Sequence, residues 1–136
     1  MSEPPVFELD SFPADADLAP LWFAAWGAPL RPGYAEILHR SLCHATAGVD
    51  GSLIGFVNVA WDGGAHAFLL DTTVHPEFRR RGIATALVRL VTAAARARGA
   101  EWLHVDYEPH LEGFYRGCGF GSTKAGLVRL IPSAAP

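Results

Sequence analysis

The chain has 136 residues, half of them apolar and only 18% charged, so it is long enough to bury a core and too hydrophobic to be disordered. Its formal net charge of −3 lacks the basic excess of most nucleic-acid-binding proteins, which argues against DNA and RNA as partners. Two cysteines are too few for a secreted disulfide framework, no signal peptide is recognisable, and no apolar run approaches the roughly 20 residues that cross a bilayer. We therefore expect a cytoplasmic protein with no membrane partner, in which residues 1–136 form a single domain with frayed tails at 1–5 and 132–136.

The N-terminal third of the sequence predicts one strand and two helices. Residues 6–9 form the strand, and a helix entered at 13–17 leads into an aromatic segment at 22–26. Proline and glycine within 29–33 break this helix, and a second helix follows at 34–42.

The middle of the sequence predicts antiparallel strands. Asp50-Gly51 is typical of a tight hairpin turn, in which both central residues need positive φ. The turn joins a strand at 45–49 to an apolar strand at 53–61, and a glycine-rich turn then leads to a third strand at 67–74.

Beyond residue 83, apolar residues recur at helical spacing until Gly99, which is placed to end the helix. A strand at 102–107 follows, then a short helix at 111–116 and closing strand material at 122–131. These elements predict an α+β fold with a mixed, mostly antiparallel sheet, a central parallel strand–helix–strand unit and flanking helices.

The segment RRRGIA at residues 79–84 lies between the strand that ends at Val74 and the long helix. Free backbone N–H groups and the positive end of the helix dipole converge there, and the small residues Gly82 and Ala84 let an anion approach the main chain. The segment therefore predicts a phosphate site. The spacing of a P-loop and the dinucleotide fingerprint are both missing from the sequence.

Arg79, Gly82 and Ala84 match the signature of the GNAT superfamily, which is Gln or Arg, two residues, Gly, one residue, then Gly or Ala. A Phe-Tyr pair at 114–115 and a Gly-Phe at 119–120 match a second element of that superfamily. Over about half its length, the sequence thus resembles the GNAT N-acetyltransferases.

The resemblance implies direct transfer of an acetyl group from acetyl-CoA to a primary amine, with no metal and no covalent enzyme intermediate. It implies that the backbone at the end of the strand pairs with the pantetheine arm, with the Val74 N–H facing the thioester carbonyl, while the amides of the turn hold the pyrophosphate. The cofactor-binding residues implied in this way are Thr72, Thr73, Val74, Arg79, Arg80, Arg81, Gly82, Ile83, Ala84 and Thr85.

For the catalytic groups, the resemblance implies that Tyr115 is the general acid that protonates the departing thiolate. The general base is left open among His104, which we prefer, then Asp71 and then Asp106. At Glu108 the sequence departs from the superfamily, because many relatives have there an Asn that contacts the cofactor arm.

The acceptor amine is not readable from the sequence and is either a small molecule or a peptide. Acidic residues near the site would favour a cationic amine, and an aromatic segment would line its pocket. These residues are Asp71, Asp106 and Glu108, with Trp22, Trp26 and Tyr34. A non-catalytic acyl-CoA-binding or regulatory module is the alternative, and a homodimer is left open.

Overall fold

The computed structural model describes residues 3–132, which divide into two compact units, one up to Val105 and one from Asp106 onward. The first unit holds a five-stranded sheet, with the strands in spatial order β1 (Val6–Leu9), β2 (Cys43–Val49), β3 (Ser52–Trp61), β4 (His66–Val74) and β5 (Trp102–His104). Its helices are α1 (Asp15–Trp26), α2 (Tyr34–Arg40) and α3 (Ile83–Ala97). The second unit contains a 3₁₀ turn at Pro109–Leu111 and the helix α4 (Glu112–Gly117).

The first four strands pair antiparallel, whereas β4 and β5 pair parallel. The hairpin between β2 and β3 turns at Asp50 and Gly51, whose φ angles are 50° and 78°. Both are positive, as a tight primed turn requires, so the predicted hairpin is confirmed. The helix α3 connects the two parallel strands, which confirms the predicted strand–helix–strand unit and the mixed sheet.

Helices cover both faces of the sheet. A Cβ atom placed on Gly55 would lie 2.9 Å from Leu87 and 3.1 Å from Ile83, so this face of β3 packs directly against α3. The next residue, Phe56, points the opposite way. It joins a buried cluster with residues of α1 and α2, namely Leu18, Leu21, Tyr34 and Leu38. The sheet therefore lies between α3 on one side and the two N-terminal helices on the other.

The structure corrects the predicted strand at 102–107. β5 ends at His104, because its pairing with β4 ends where Phe68 lies opposite His104, and a segment without a ladder partner does not form a strand. The predicted second helix is also shorter, since α2 ends at Arg40 and the Leu42 N–H already donates to the Val59 carbonyl.

The predicted closing strand at 122–131 is wrong, because the described residues of that segment adopt no regular secondary structure. Its large apolar side chains are solvent-exposed, with 83% of Leu127 and 90% of Leu130 accessible. β-Branched and apolar residues favour a strand only where a neighbouring strand supplies hydrogen bonds and packing. The helix predicted at 111–116 is confirmed with a shift of one residue, while the predicted tails lie partly outside the described residues, at 1–2 and 133–136.

Candidate active site

One edge of β4 is unpaired along the second half of the strand. On its other side, β4 pairs with β3 up to Val74, but its pairing with β5 covers only His66, Ala67 and Phe68. Within the described residues, the backbone groups that face away from β3 beyond Phe68 thus have no strand partner. Such an edge is a template for an extended molecule that carries amide groups.

A bulge interrupts β4 beside this open edge. Asn58 pairs with Leu70 and Phe56 pairs with Thr73, so that Asp71 and Thr72 lie opposite a single residue of β3. Asp71 has a φ of 56°, a conformation that is costly for a non-glycine residue and must be held by its surroundings.

Side chains of α1 and α2 hold the bulge in place. The Tyr34 hydroxyl donates to a carboxylate oxygen of Asp71 at 2.5 Å. The indole N–H of Trp26 donates to the Thr73 hydroxyl at 3.1 Å, and that hydroxyl in turn donates to the Asp71 carbonyl at 2.9 Å. Burial, followed by the hydrogen bond to Asp71, raises the pKa of Tyr34 well above its usual value, so the phenol remains a donor. One Asp71 oxygen is therefore already in use.

The aromatic residues predicted to line an acceptor pocket form one group. Trp22 packs against Tyr34 with ring centroids 5.3 Å apart and against Trp26 at 6.3 Å. Tyr34 is buried and Trp26 is 54% exposed, so the group reaches from the core to the surface beside the bulge.

Beyond Val74, a 3₁₀ turn at Pro76–Phe78 and the arginine run lead into α3. Arg80 and Gly82 have φ angles of 62° and 78°, and Gly82 is the N-cap of the helix without a side-chain hydrogen bond to the first turn. The helix therefore begins with backbone N–H groups that no capping side chain satisfies.

The space around this helix start suits an anion. A Cβ atom on Gly82 would meet no atom within 4 Å, so the main chain is open to approach there. The three arginines are exposed, and the guanidinium of Arg81 lies 5.0 Å from the Phe78 ring centroid. Arg81 and Ile83 also line a pocket of about 240 Å³, whose other lining residues include Val49 and the acidic residue Glu3. Positive charge, free amides and the helix dipole thus coincide at one position.

His104 lies on β5 at the last residue pair before β4 and β5 separate. Its Nε2 is 2.8 Å from Nδ1 of His66, and the Phe68 ring stacks on it with centroids 4.8 Å apart. Sequence reasoning missed His66, because the contact depends on the register of two parallel strands, and no local pattern encodes that register.

The remaining predicted site residues lie in the second unit. Tyr115 is buried in α4, where its ring stacks on Tyr107 and meets Phe120 edge to face, at centroid distances of 4.9 Å and 5.7 Å. Glu108 is exposed, with a carboxylate oxygen 3.7 Å from Nδ1 of His110. Asp106 is exposed as well. The catalytic role of Tyr115 stays a prediction.

The first unit brings Asp71, the end of β4, the arginine turn and the start of α3 into one continuous segment, with His104 on the neighbouring strand. Among residues 3–132, no group of three or more His, Cys, Asp or Glu side chains is arranged to hold a metal ion. No helix in that same range is long and apolar enough to cross a membrane.

Comparison with known proteins identifies the family and the fold. The acetyltransferase (GNAT) family matches residues 8–120. A GNAT-family acetyltransferase from Streptococcus pneumoniae TIGR4 superposes with a TM-score of 0.78 at 20% identity, covering 94% of this chain and all of that one. Glucosamine-6-phosphate N-acetyltransferase from Arabidopsis thaliana superposes with a TM-score of 0.76 at 12% identity, over 93% and 99% of the two chains.

A curated relative is similar over a shorter range. Mycothiol acetyltransferase from Mycobacterium ulcerans (strain Agy99) is 43% identical over 58 residues, which is 43% of this chain and 18% of the relative. The chain thus matches about a fifth of that relative's length. The mixed sheet between two helical layers is the fold of these solved acetyltransferases. Since the family match extends over more than half of its residues, this chain belongs to the GNAT family of acetyltransferases.

Proposed function

We propose that this chain binds acetyl-CoA along the open edge of β4 and transfers the acetyl group to a primary amine. The observation that carries the proposal is that the parts of the site are continuous in the chain. The unpaired edge of β4 ends at Val74, and within ten residues the arginine turn leads to the start of α3, which no side chain caps. Family membership supports acetyl-CoA as the co-substrate. The family match also crosses the boundary at Val105, which supports our proposal that the two units form one domain.

The phosphate groups of the co-substrate fit the N-terminal start of α3. The amides from Arg80 to Thr85 would hold the pyrophosphate, and Gly82 leaves room for it because no side chain fills the space above the backbone. The exposed guanidinium groups of Arg79, Arg80 and Arg81 concentrate positive charge at this turn, in a chain whose net charge is −3.

The strand edge argues for the position of the thioester. Thr72, Thr73 and Val74 would pair with the amide groups of the pantetheine arm in the manner of an added strand. The Val74 N–H would then donate to the thioester carbonyl. A donor fixed in advance where negative charge develops lowers the barrier to acyl transfer.

An amine accepts the acetyl group only after it has lost a proton. The second oxygen of Asp71, not engaged by Tyr34, is suited to attract a cationic amine beside the aromatic group of Trp22 and Trp26. His104 is then the preferred proton acceptor, because imidazole is the side chain that takes up and releases a proton most readily near neutral pH. Tyr115 donates a proton to the departing thiolate.

The experiment that tests this function is thiol release from acetyl-CoA across a panel of small-molecule and peptide amines, with acetyl-CoA binding measured in parallel by calorimetry. We expect binding together with amine-dependent thiol release. Binding without release for any amine would favour the non-catalytic acyl-CoA-binding module. Absence of both would contradict the proposed site.

A further inference from the structure

We infer that His66 is a positioning residue, which holds the His104 imidazole in its Nε2–H tautomer and thereby makes Nδ1 of His104 the proton acceptor. This inference rests on the proposed function, in which an amine must be deprotonated. It concerns a histidine that neither the sequence motifs nor the family signature singles out.

The geometry of the pair requires a hydrogen bond of defined direction. Nδ1 of His66 and Nε2 of His104 are 2.8 Å apart, with ring centroids separated by 5.0 Å. A neutral imidazole has one donor and one acceptor nitrogen, so one ring must donate and the other must accept. The Phe68 ring, at an interplanar angle of 21°, stacks on His104 and limits its rotation.

Only one direction leaves His104 able to act as a base. If His66 donates, the lone pair of His104 Nε2 is used and its Nδ1 carries the hydrogen, which leaves no free acceptor on that ring. If His104 donates from Nε2, the lone pair on Nδ1 is free. In this tautomer His66 performs the task of the residue that orients the histidine in a catalytic triad.

The proton balance of the step follows from that tautomer. An N–H bond of the acceptor ammonium breaks and an N–H bond forms at Nδ1 of His104, while the amine keeps the electron pair with which it attacks. His104 becomes an imidazolium whose Nε2–H bond to His66 is now charge-assisted and stronger. Both histidines are exposed, so water takes up the proton afterwards.

One carboxylate lies beside the histidine pair. The Asp62 carboxylate accepts the backbone N–H of His66 at 3.2 Å, and its pKa is lowered by hydrogen bonds to the Gly64 and His66 amides and by the His66 ring. Glu101, directly before β5, is exposed. A second proton on the pair would place two like charges 2.8 Å apart and is therefore disfavoured.

The position of the pair matches this task. Phe68 and His104 form the last pair of the parallel ladder, so His104 lies where β4 leaves β5 and its edge opens, and His66 lies two residues earlier on β4. Asp71, another candidate base, lies on β4, and one of its two carboxylate oxygens already receives the Tyr34 hydroxyl.

The test combines a readout that needs no turnover with one that does. Nitrogen-15 NMR of the histidine rings should find His104 as the Nε2–H tautomer in wild type and as a mixture of the two neutral tautomers in His66→Ala. In His66→Ala the ascending limb of the kcat/KM pH profile should move to lower pH and kcat should fall on the order of 10-fold.

The matched variants are His66→Gln and His39→Ala. The Gln side-chain oxygen can still accept the Nε2–H, so His66→Gln should restore part of kcat. His39 is an exposed helix residue whose replacement removes an imidazole elsewhere and should leave the pH profile unchanged.

An Nδ1–H tautomer of His104 in wild type, or the same tautomer population with and without His66, would overturn the inference whether or not an acceptor is known. Acetyl transfer with the same pH profile in wild type and His66→Ala would overturn it as well. If wild type transfers to no amine in the panel, the proposed function fails, and the NMR arm alone decides whether His66 sets the tautomer.

Discussion

Tyr115 is the residue whose proposed role depends most on its hydroxyl group. Its ring is held by Tyr107 and Phe120, so Tyr115→Phe should keep the packing of α4. If the phenol protonates the leaving thiolate, turnover should fall roughly 10²- to 10⁴-fold, while acetyl-CoA affinity and Tm change little. Thiol release and thermal melting of the same variant measure both effects.

Tyr107→Phe is the matched control, since it removes a hydroxyl from the ring stacked on Tyr115 and should leave turnover unchanged. If Tyr115→Phe lowers stability by about 1 kcal/mol with turnover intact, the hydroxyl is structural and Tyr115 is not the general acid.

The positive φ of Gly82 limits which substitutions this position accepts. Gly82→Val would place a side chain in the open space above the phosphate site. With a φ of 78°, however, this position disfavours a β-branched residue, so the substitution would also strain the turn. Ala84, in the first turn of α3, is the better place to test the site.

Ala84→Glu separates anion binding from stability. A carboxylate near the helix N-terminus interacts favourably with the dipole, so Tm should be equal or slightly higher. The same charge opposes a phosphate group there, and we expect acetyl-CoA affinity to fall at least about 10-fold, or 1.4 kcal/mol. Calorimetric titration measures this, with Ala84→Gln as the uncharged control. Equal affinity in the Glu and Gln variants would argue against phosphate at this helix start.

At the scale of elements, the close approach of α3 to β3 sets the frame on which the site is built. It depends on Gly55, because a Cβ atom there would lie 2.9 Å from Leu87 and 3.3 Å from the Ala47 Cβ. Both partners are buried, so there is little room to relax.

Gly55→Ala should therefore destabilise the protein by about 1–3 kcal/mol through overpacking. Gly113→Ala is the matched control, since Gly113 lies in α4 with no atom within 4 Å of the added carbon. It should be neutral or stabilising by up to about 1 kcal/mol. Chemical denaturation measures both variants. A Gly55→Ala protein as stable as wild type would show that α3 can move away without cost.

At the scale of the whole molecule, stability should depend on pH through a buried histidine. His44 is fully buried, and its Nε2 accepts the Phe12 N–H at 2.9 Å while Arg98 pairs with the neighbouring Asp10 at 2.7 Å. Burial is the largest cause that lowers the pKa of His44 below its ordinary 6.5. The neutral form therefore accepts the hydrogen bond that ties the loop at Phe12 to the sheet.

Because the folded pKa of His44 is depressed, the unfolded chain binds this proton more readily than the native protein as the pH falls. The stabilisation is complete above about pH 6.5 and is lost as the pH falls below it, by at most about 1.4 kcal/mol per pH unit. His44→Gln keeps an acceptor without titrating, so its free energy of unfolding should depend less on pH between 7 and 5. Parallel slopes for the two proteins in urea denaturation would contradict this role of His44.

Local chemistry determined much of what could be predicted from the sequence. Asp50-Gly51 predicted the hairpin because few residue pairs accept positive φ at both central positions. The apolar period after Ile83 predicted α3 because only a helix brings those residues to one face. Arg79 and Gly82 indicated a phosphate turn because the chain leaves a strand and starts a helix there.

The tertiary structure decided the features that depend on contacts between distant segments. His66 meets His104 only because β4 and β5 pair in one particular register, and Tyr34 holds Asp71 only because α2 packs beside the bulge of β4. The segment at 122–131 shows the converse: its residues favour a strand, yet it lies exposed without one. The sequence alone thus determined turns, helices and the phosphate motif, which arise from neighbours in the chain. Strand ends and side-chain partners needed the tertiary structure, because hydrogen bonds across a sheet join residues whose separation in sequence no local propensity records.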